Sequence, residues 1–199
     1  MQKIYNTPAE LQTALALAIH GSHLFPKDDL VYDDVLIGQD MIRSIQDLNI
    51  LTTQSHVRDR GHQPASSNGI IALFDGRSSS SKILIANLLA KQAGVETTMV
   101  DLSKVVSKYI GETEKNLRKI FDAADKSGNI LFFDEADALF GKRSNVKDSH
   151  DRYANIEVAY FMELAENRSG LTIVSVTSKT NLDEGFLRRL RSTISFPKK

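Results

Sequence analysis

An α/β fold, with a parallel sheet covered by helices on both faces, is predicted by three features of the 199-residue chain. From residue 70 onward, short apolar runs of strand length alternate with amphipathic stretches of helix length, the pattern of βαβ units. Runs such as Ile70 to Phe74 and Asn129 to Phe133 are almost continuously apolar, as burial on both faces demands. Residues with chemistry to offer follow those runs, at Gly76 to Lys82, at Asp134-Glu135 and at Thr177-Ser178. Ligands of such sheets bind at the carboxyl ends of the strands, so this fold would gather all three.

The elements follow in order. Pro8 to Leu24 reads as a helix with Thr7 as cap, proline in the first turn, and Leu11, Ala14, Leu15 and Ala18 on one face. Pro26 to Asp34 reads as an acidic, extended link. Ile42, Ile45, Leu48 and Leu51 mark a second amphipathic helix from Gln39 to about Val57. Arg58 to Asn68, with Gly61 and Pro64, is a polar loop. The first strand of the sheet is Ile70 to Phe74, and the helix after it carries Ile83, Leu84, Ala86, Leu88 and Leu89 before Gly94 closes it. Val95 to Leu102 is a second strand. Glu112 to Ala124 is a helix with Leu117, Ile120 and Phe121 inward, and Asn129 to Phe133 is a third strand. Arg152 to Ala165 is a long helix, Leu171 to Thr177 a fourth strand, and Thr193 to Phe196 a short fifth.

Composition narrows the function classes. Lys plus Arg and Asp plus Glu both total 25, so no charge excess argues for nucleic acid or an acidic membrane surface. Without cysteine there is neither a disulfide framework nor a thiolate zinc site. The five histidines form no His-Glu-x-x-His, and His20 with His23 reads as an exposed helix end. The amino terminus lacks the apolar core of a signal peptide, and no run reaches transmembrane length. A soluble, cytoplasmic protein is expected.

Strand, loop with a lysine, then helix is the layout of a phosphate-binding loop, where backbone N–H groups and a helix N-terminus face an anion. The pattern G-x-x-x-x-G-K-[ST] meets Gly76, Arg77, Ser78, Ser79, Ser80, Ser81, Lys82 and Ile83. The first glycine and the lysine match. Ser81 replaces the second glycine, and Ile83 replaces the hydroxyl that ligates magnesium. Ser81 cannot supply that hydroxyl, because one helical step turns a side chain by about 100°. Asp134-Glu135, closing an apolar strand, strengthens the reading. Two adjacent carboxylates near a core are costly without a cation or proton to share. In a nucleotide site the first would hold water on Mg²⁺ and the second would polarise the attacking water.

From about Asp33 onward the chain resembles the AAA family of ATPases. Val105 to Leu117, with Lys108-Tyr109-Ile110-Gly111-Glu112, resembles the first pore loop and the helix after it. Asp134 to Phe140 resembles the Walker B segment. Asn181 to Pro197, with Leu182-Asp183 and Phe186-Leu187-Arg188-Arg189, resembles the second region of homology. Gly141 to Ser144 through Asp151 to Asn155 looks closest to a bacterial subgroup that includes ATPases of contractile injection systems. The resemblance implies a three-layer α/β/α P-loop NTPase fold with a five-stranded sheet ordered 5-1-4-3-2. It divides the chain into a helical extension, 1–32, and an AAA large subdomain, 33–199. The chain stops at Lys199, where the family begins its helical lid, so that subdomain is expected to be absent.

The resemblance also assigns roles. Lys82 would contact the β- and γ-phosphates of ATP within the cradle of Gly76 to Ile83. Asp134 would organise Mg²⁺, and Glu135 would activate water. Arg189 matches the arginine finger offered to a neighbouring subunit, while Arg191 lies one place from the usual second finger, at Ser192. Arg188 to Arg191 reads equally as a solvated basic helix end. Tyr109 would grip a protein substrate in a central pore, or else be a partly buried loop tyrosine. The polar sensor of the fourth strand falls on Thr177 by spacing or on Ser178 by local pattern, and neither is the family's asparagine. Because the departures meet at one chemical centre, the expectation is an ATP-binding module with impaired hydrolysis, acting in a ring of AAA subunits. The rival is a nucleotide-free AAA fold used for docking. A small-molecule kinase is disfavoured, since the pore-loop and finger segments would have no role.

Overall fold

The computed structural model describes residues 3–4, 7–19, 30–33, 35–59, 69–141 and 149–197. The expected loop over 60–68, His20 and His23, most of the link from Pro26, and the basic tract Lys142-Arg143 lie outside the described residues.

The chain begins with β1 (Lys3–Ile4) and α1 (Pro8–Ile19), whose first turn is capped as expected by Thr7 Oγ1 accepting from the Glu10 N–H at 3.3 Å. Two short strands, β2 (Leu30–Tyr32) and β3 (Val35–Ile37), pair as a hairpin, and β1 adds alongside β2. The sequence reading missed this small sheet. Strands of two or three residues are too short to show a period, and β1 pairs with a segment far from it in the chain.

The main sheet follows. Its members are β4 (Ile70–Gly76), β5 (Thr97–Asp101), β6 (Ile130–Asp134), β7 (Leu171–Val176) and β8 (Ser192–Phe196), all parallel, in the order β5-β6-β7-β4-β8. Counted along the five strands, this is the 5-1-4-3-2 order expected from the resemblance, and the fold is a three-layer α/β/α sandwich of the P-loop NTPase type.

Alternation along β4 divides the core. Ile70, Ala72 and Phe74 face α1, α2 (Gln39–Asp59) and α3 (Ser79–Ala93), with Leu11, Ile42, Ile45, Leu84 and Leu88 opposite them. Ile71 and Leu73 face the other layer, α4 (Glu112–Ser127) and α6 (Ser149–Asn167). There Phe121 stacks on Phe133 at 5.5 Å between centroids, and Phe161 meets both rings edge-on. The short helices α5 (Asp137–Phe140) and α7 (Glu184–Leu187) seal the carboxyl edge through Phe140 stacked on Phe186 at 4.4 Å. Arg168 is the main buried cation of this layer. It pairs with Asp125 and donates to Leu171 O, Thr172 Oγ1 and Asn129 O, so burial that disfavours its charge is opposed by these acceptors.

Candidate functional site

The carboxyl ends of β4, β6 and β7 lie side by side and bring the predicted residues together. Asp75 is level with Val176, and Asp134 follows Phe133, which is level with Val174. Gly76 ends β4 with φ +148°, and a Cβ there would meet Phe196 O at 2.6 Å. Packing against β8 therefore requires this glycine whether or not a phosphate approaches.

Beyond Gly76 the exposed Arg77 leads to Ser78, the N-cap of α3, whose Oγ accepts from the Ser81 N–H at 3.2 Å. Ser79 and Ser80 open the helix. Ser81 is buried, with its Oγ 3.0 Å from Ser78 Oγ and donating to Tyr32 O at 3.5 Å. The cap chemistry follows from the composition: a serine preceding an apolar helical stripe satisfies a free helix N–H with its own oxygen.

Lys82 is 2 % exposed. Its Nζ donates to Val176 O at 2.8 Å and to Ser175 Oγ at 3.1 Å. Ser175 Oγ in turn donates to Asp134 Oδ1 at 2.8 Å. Lysine, serine and aspartate thus form one chain of hydrogen bonds across β7. Burial pulls the Lys82 pKa below its ordinary value, and the field of Asp134, Asp137, Asp75 and Glu135 opposes that fall.

Glu135 is exposed at the mouth and holds φ +54°, a left-handed conformation that costs energy for a glutamate. Its neighbours brace it: the Ala136 N–H donates to Ser175 O at 3.0 Å and the Ala138 N–H to Glu135 O at 3.0 Å. Asp137, which the sequence reading did not single out, accepts from the Thr177 N–H at 2.8 Å. Thr177 itself is exposed, and the Ser178 hydroxyl is engaged in the turn that follows, 2.8 Å from Thr180 Oγ1. The hydroxyl that meets Lys82 and Asp134 is that of Ser175. Its signal in the sequence was a lone polar residue inside the otherwise apolar Ile173-Val174-Ser175-Val176.

Ile83 is partly buried and packs against the core shared with α1 and α2. Among the described residues no group of three or more His, Cys, Asp or Glu side chains is arranged to hold a metal. The magnesium fit is therefore partial: Asp134 is in place, and the loop hydroxyl is absent. The phosphate fit is better supported. The α3 N-terminus already carries an anion on its hydroxyls, the Asp33 carboxylate, which accepts from Ser78 Oγ at 2.6 Å and from Ser80 Oγ.

The two remaining candidates lie away from this centre. Arg189 grips Glu166 through two bonds of 2.8 Å, a bidentate pair that raises its pKa further. Tyr109 is 60 % exposed and Ile110 78 %, on a loop held by the Ser107 N–H on Thr113 Oγ1 at 3.0 Å. Lys108 Nζ stands 5.3 Å from the centre of the Tyr109 ring. The exposed loop tyrosine is the arrangement found, rather than the partly buried one.

No helix among the described residues is long and apolar enough to cross a membrane. Protein CdcH of Halobacterium salinarum is 30% identical over 118 residues, which cover 59% of this chain and 16% of CdcH. The chain thus spans about a sixth of the length of that relative. The profile of the family described as "ATPase family associated with various cellular activities (AAA)" matches residues 72–198. That match runs from within β4 through β8 with the helices between them, and the chain belongs to the AAA family.

Proposed function

We propose that this chain is an ATP-binding AAA module with impaired hydrolysis, serving as one subunit of a ring that acts on a protein substrate. The observation that carries the reading is the chain of hydrogen bonds from Lys82 through Ser175 to Asp134, while Ile83, at the position of the magnesium hydroxyl, packs against the core. Lys82, Asp134, Glu135 and the α3 N-terminus remain at the ends of the three central strands, so the groups that hold a polyphosphate are present. What is missing is the loop hydroxyl that would ligate magnesium, replaced by Ile83.

ATP bound here would lay its phosphates on the α3 N-terminus and on Lys82, with Asp134 toward the ion and Glu135 toward water. Magnesium, when bound, neutralises the developing phosphate charge. Lys82 has to leave Val176 O to reach a phosphate, and that exchange reduces affinity. Arg189 would serve a neighbouring subunit and must release Glu166 to do so. The exposed Tyr109 and Ile110 would face the substrate path.

Calorimetric titration with ATP, with and without magnesium, tests this. Weak binding that changes little with magnesium and disappears in Lys82→Ala is expected, since hydrogen bonds to a charged group contribute roughly 1.5–3 kcal/mol each. Equal binding by parent and variant would sink the assignment of Lys82. No binding by the parent would replace the reading with a nucleotide-free AAA fold used for docking.

A further inference from the structure

We propose that Asp33 is an internal plug of the phosphate cradle, an anionic side chain that a nucleotide's phosphates must displace. The proposal rests on the nucleotide-binding reading above and adds a competitor to it. Asp33 lies 45 residues before Ser78, in the turn between β2 and β3, yet its Oδ2 accepts from Ser78 Oγ at 2.6 Å and also from Ser80 Oγ. These are the N-cap and second residue of α3, where the helix presents positive potential. A carboxylate oxygen and a phosphate oxygen ask for the same donors and the same field, so the two cannot share them.

Three features make the contact more than a chance surface meeting. The turn is anchored on both sides, because β1 pairs with β2 and the Leu36 N–H in β3 donates to Pro197 O beyond β8. Asp33 holds φ +48°, a left-handed turn conformation that aspartate adopts more readily than most side chains, so the residue suits the tight turn that presents it to α3. Lys82 does not neutralise it, since its Nζ is bound at Ser175 and Val176 instead. The two serine hydroxyls keep the Asp33 carboxyl below its ordinary value, so it is an anion throughout the neutral range. Plug and lysine thus oppose a polyphosphate together, one by occupying its donors and one by pointing elsewhere.

Asparagine tolerates the same backbone conformation and keeps the shape of the side chain, so Asp33→Asn removes the charge alone. Pyrophosphate, ADP and adenosine should be titrated by calorimetry into the full chain and into Asp33→Asn. Pyrophosphate and ADP should bind the variant about tenfold tighter or better, the scale of a charge-assisted hydrogen bond no longer in competition, with adenosine unchanged. Asp33→Gly, which is at ease at positive φ, should do the same and serves if the first variant folds poorly. If the parent binds pyrophosphate and neither variant binds it more tightly, the plug is wrong and the nucleotide reading stands. An equal gain for adenosine would mean general loosening and also overturns the plug. If no form binds any phosphate, both readings fall.

Discussion

Lys82 Nζ donates to Ser175 Oγ at 3.1 Å, and that same hydroxyl donates to Asp134 Oδ1 at 2.8 Å. One serine therefore separates the cation of the phosphate loop from the first carboxylate of the acidic pair. Ser175→Ala would leave the buried ammonium with Val176 O and take a donor from the carboxylate. A stability loss of about 1–3 kcal/mol is expected, the cost of leaving a buried polar group short of a partner. Urea unfolding reads it directly, and an unchanged midpoint would show that the relay contributes nothing to the fold.

Repair of the phosphate loop is the second prediction. Ser81→Gly removes a buried side chain that bonds within the loop, and Ile83→Thr supplies the missing hydroxyl at the expense of core packing. The second change should cost on the order of 1 kcal/mol of stability from lost apolar burial. Together they should strengthen Mg-ATP binding by roughly 2–4 kcal/mol, a few charge-assisted hydrogen bonds, with neither alone sufficient. If the double variant binds Mg-ATP no better than the parent, the loop is not a decayed phosphate site.

Arg189 and Glu166 form the third. Both side chains are 41% exposed, so the pair is worth less than about 1 kcal/mol to the fold. Arg189→Ala should leave the unfolding midpoint close to that of the parent. In a mixed ring with hydrolytically active AAA subunits, the same change should lower turnover at the neighbouring site by a factor of about 10³–10⁵. Unaltered turnover in such a ring would return Arg189 to the role of a surface ion pair.

The fourth concerns acid. The folded-state pKa of Asp33 lies below its ordinary value of 3.8, so its contribution to stability is fully present above that value. It is lost as pH falls below 3.8 through the lowered folded-state value. The difference in thermal midpoint between parent and Asp33→Asn should therefore hold steady from neutral pH to about pH 5 and shrink toward zero in stronger acid. A difference that grew on acidification would contradict the contact with Ser78 and Ser80.

Periodicity carried the elements and the α/β class, while the strand order came from the resemblance to the AAA family. The apolar runs at Ile70, Asn129 and Leu171 and the stripes of α2, α3 and α4 follow from side-chain direction, a local property that sequence spacing encodes. The ends of those runs also placed Lys82, Asp134 and Glu135 at one edge, because parallel strands share a carboxyl end. Partner choice was different. That Ser175 rather than Thr177 meets Lys82, that Arg189 turns to Glu166, and that Asp33 sits on Ser78 and Ser80 each depend on contacts between segments far apart in the chain. A hydroxyl or carboxylate has many donors and acceptors within reach in principle. Only the packing of β2, β3, β7 and α6 against the sheet decides which of them it finds.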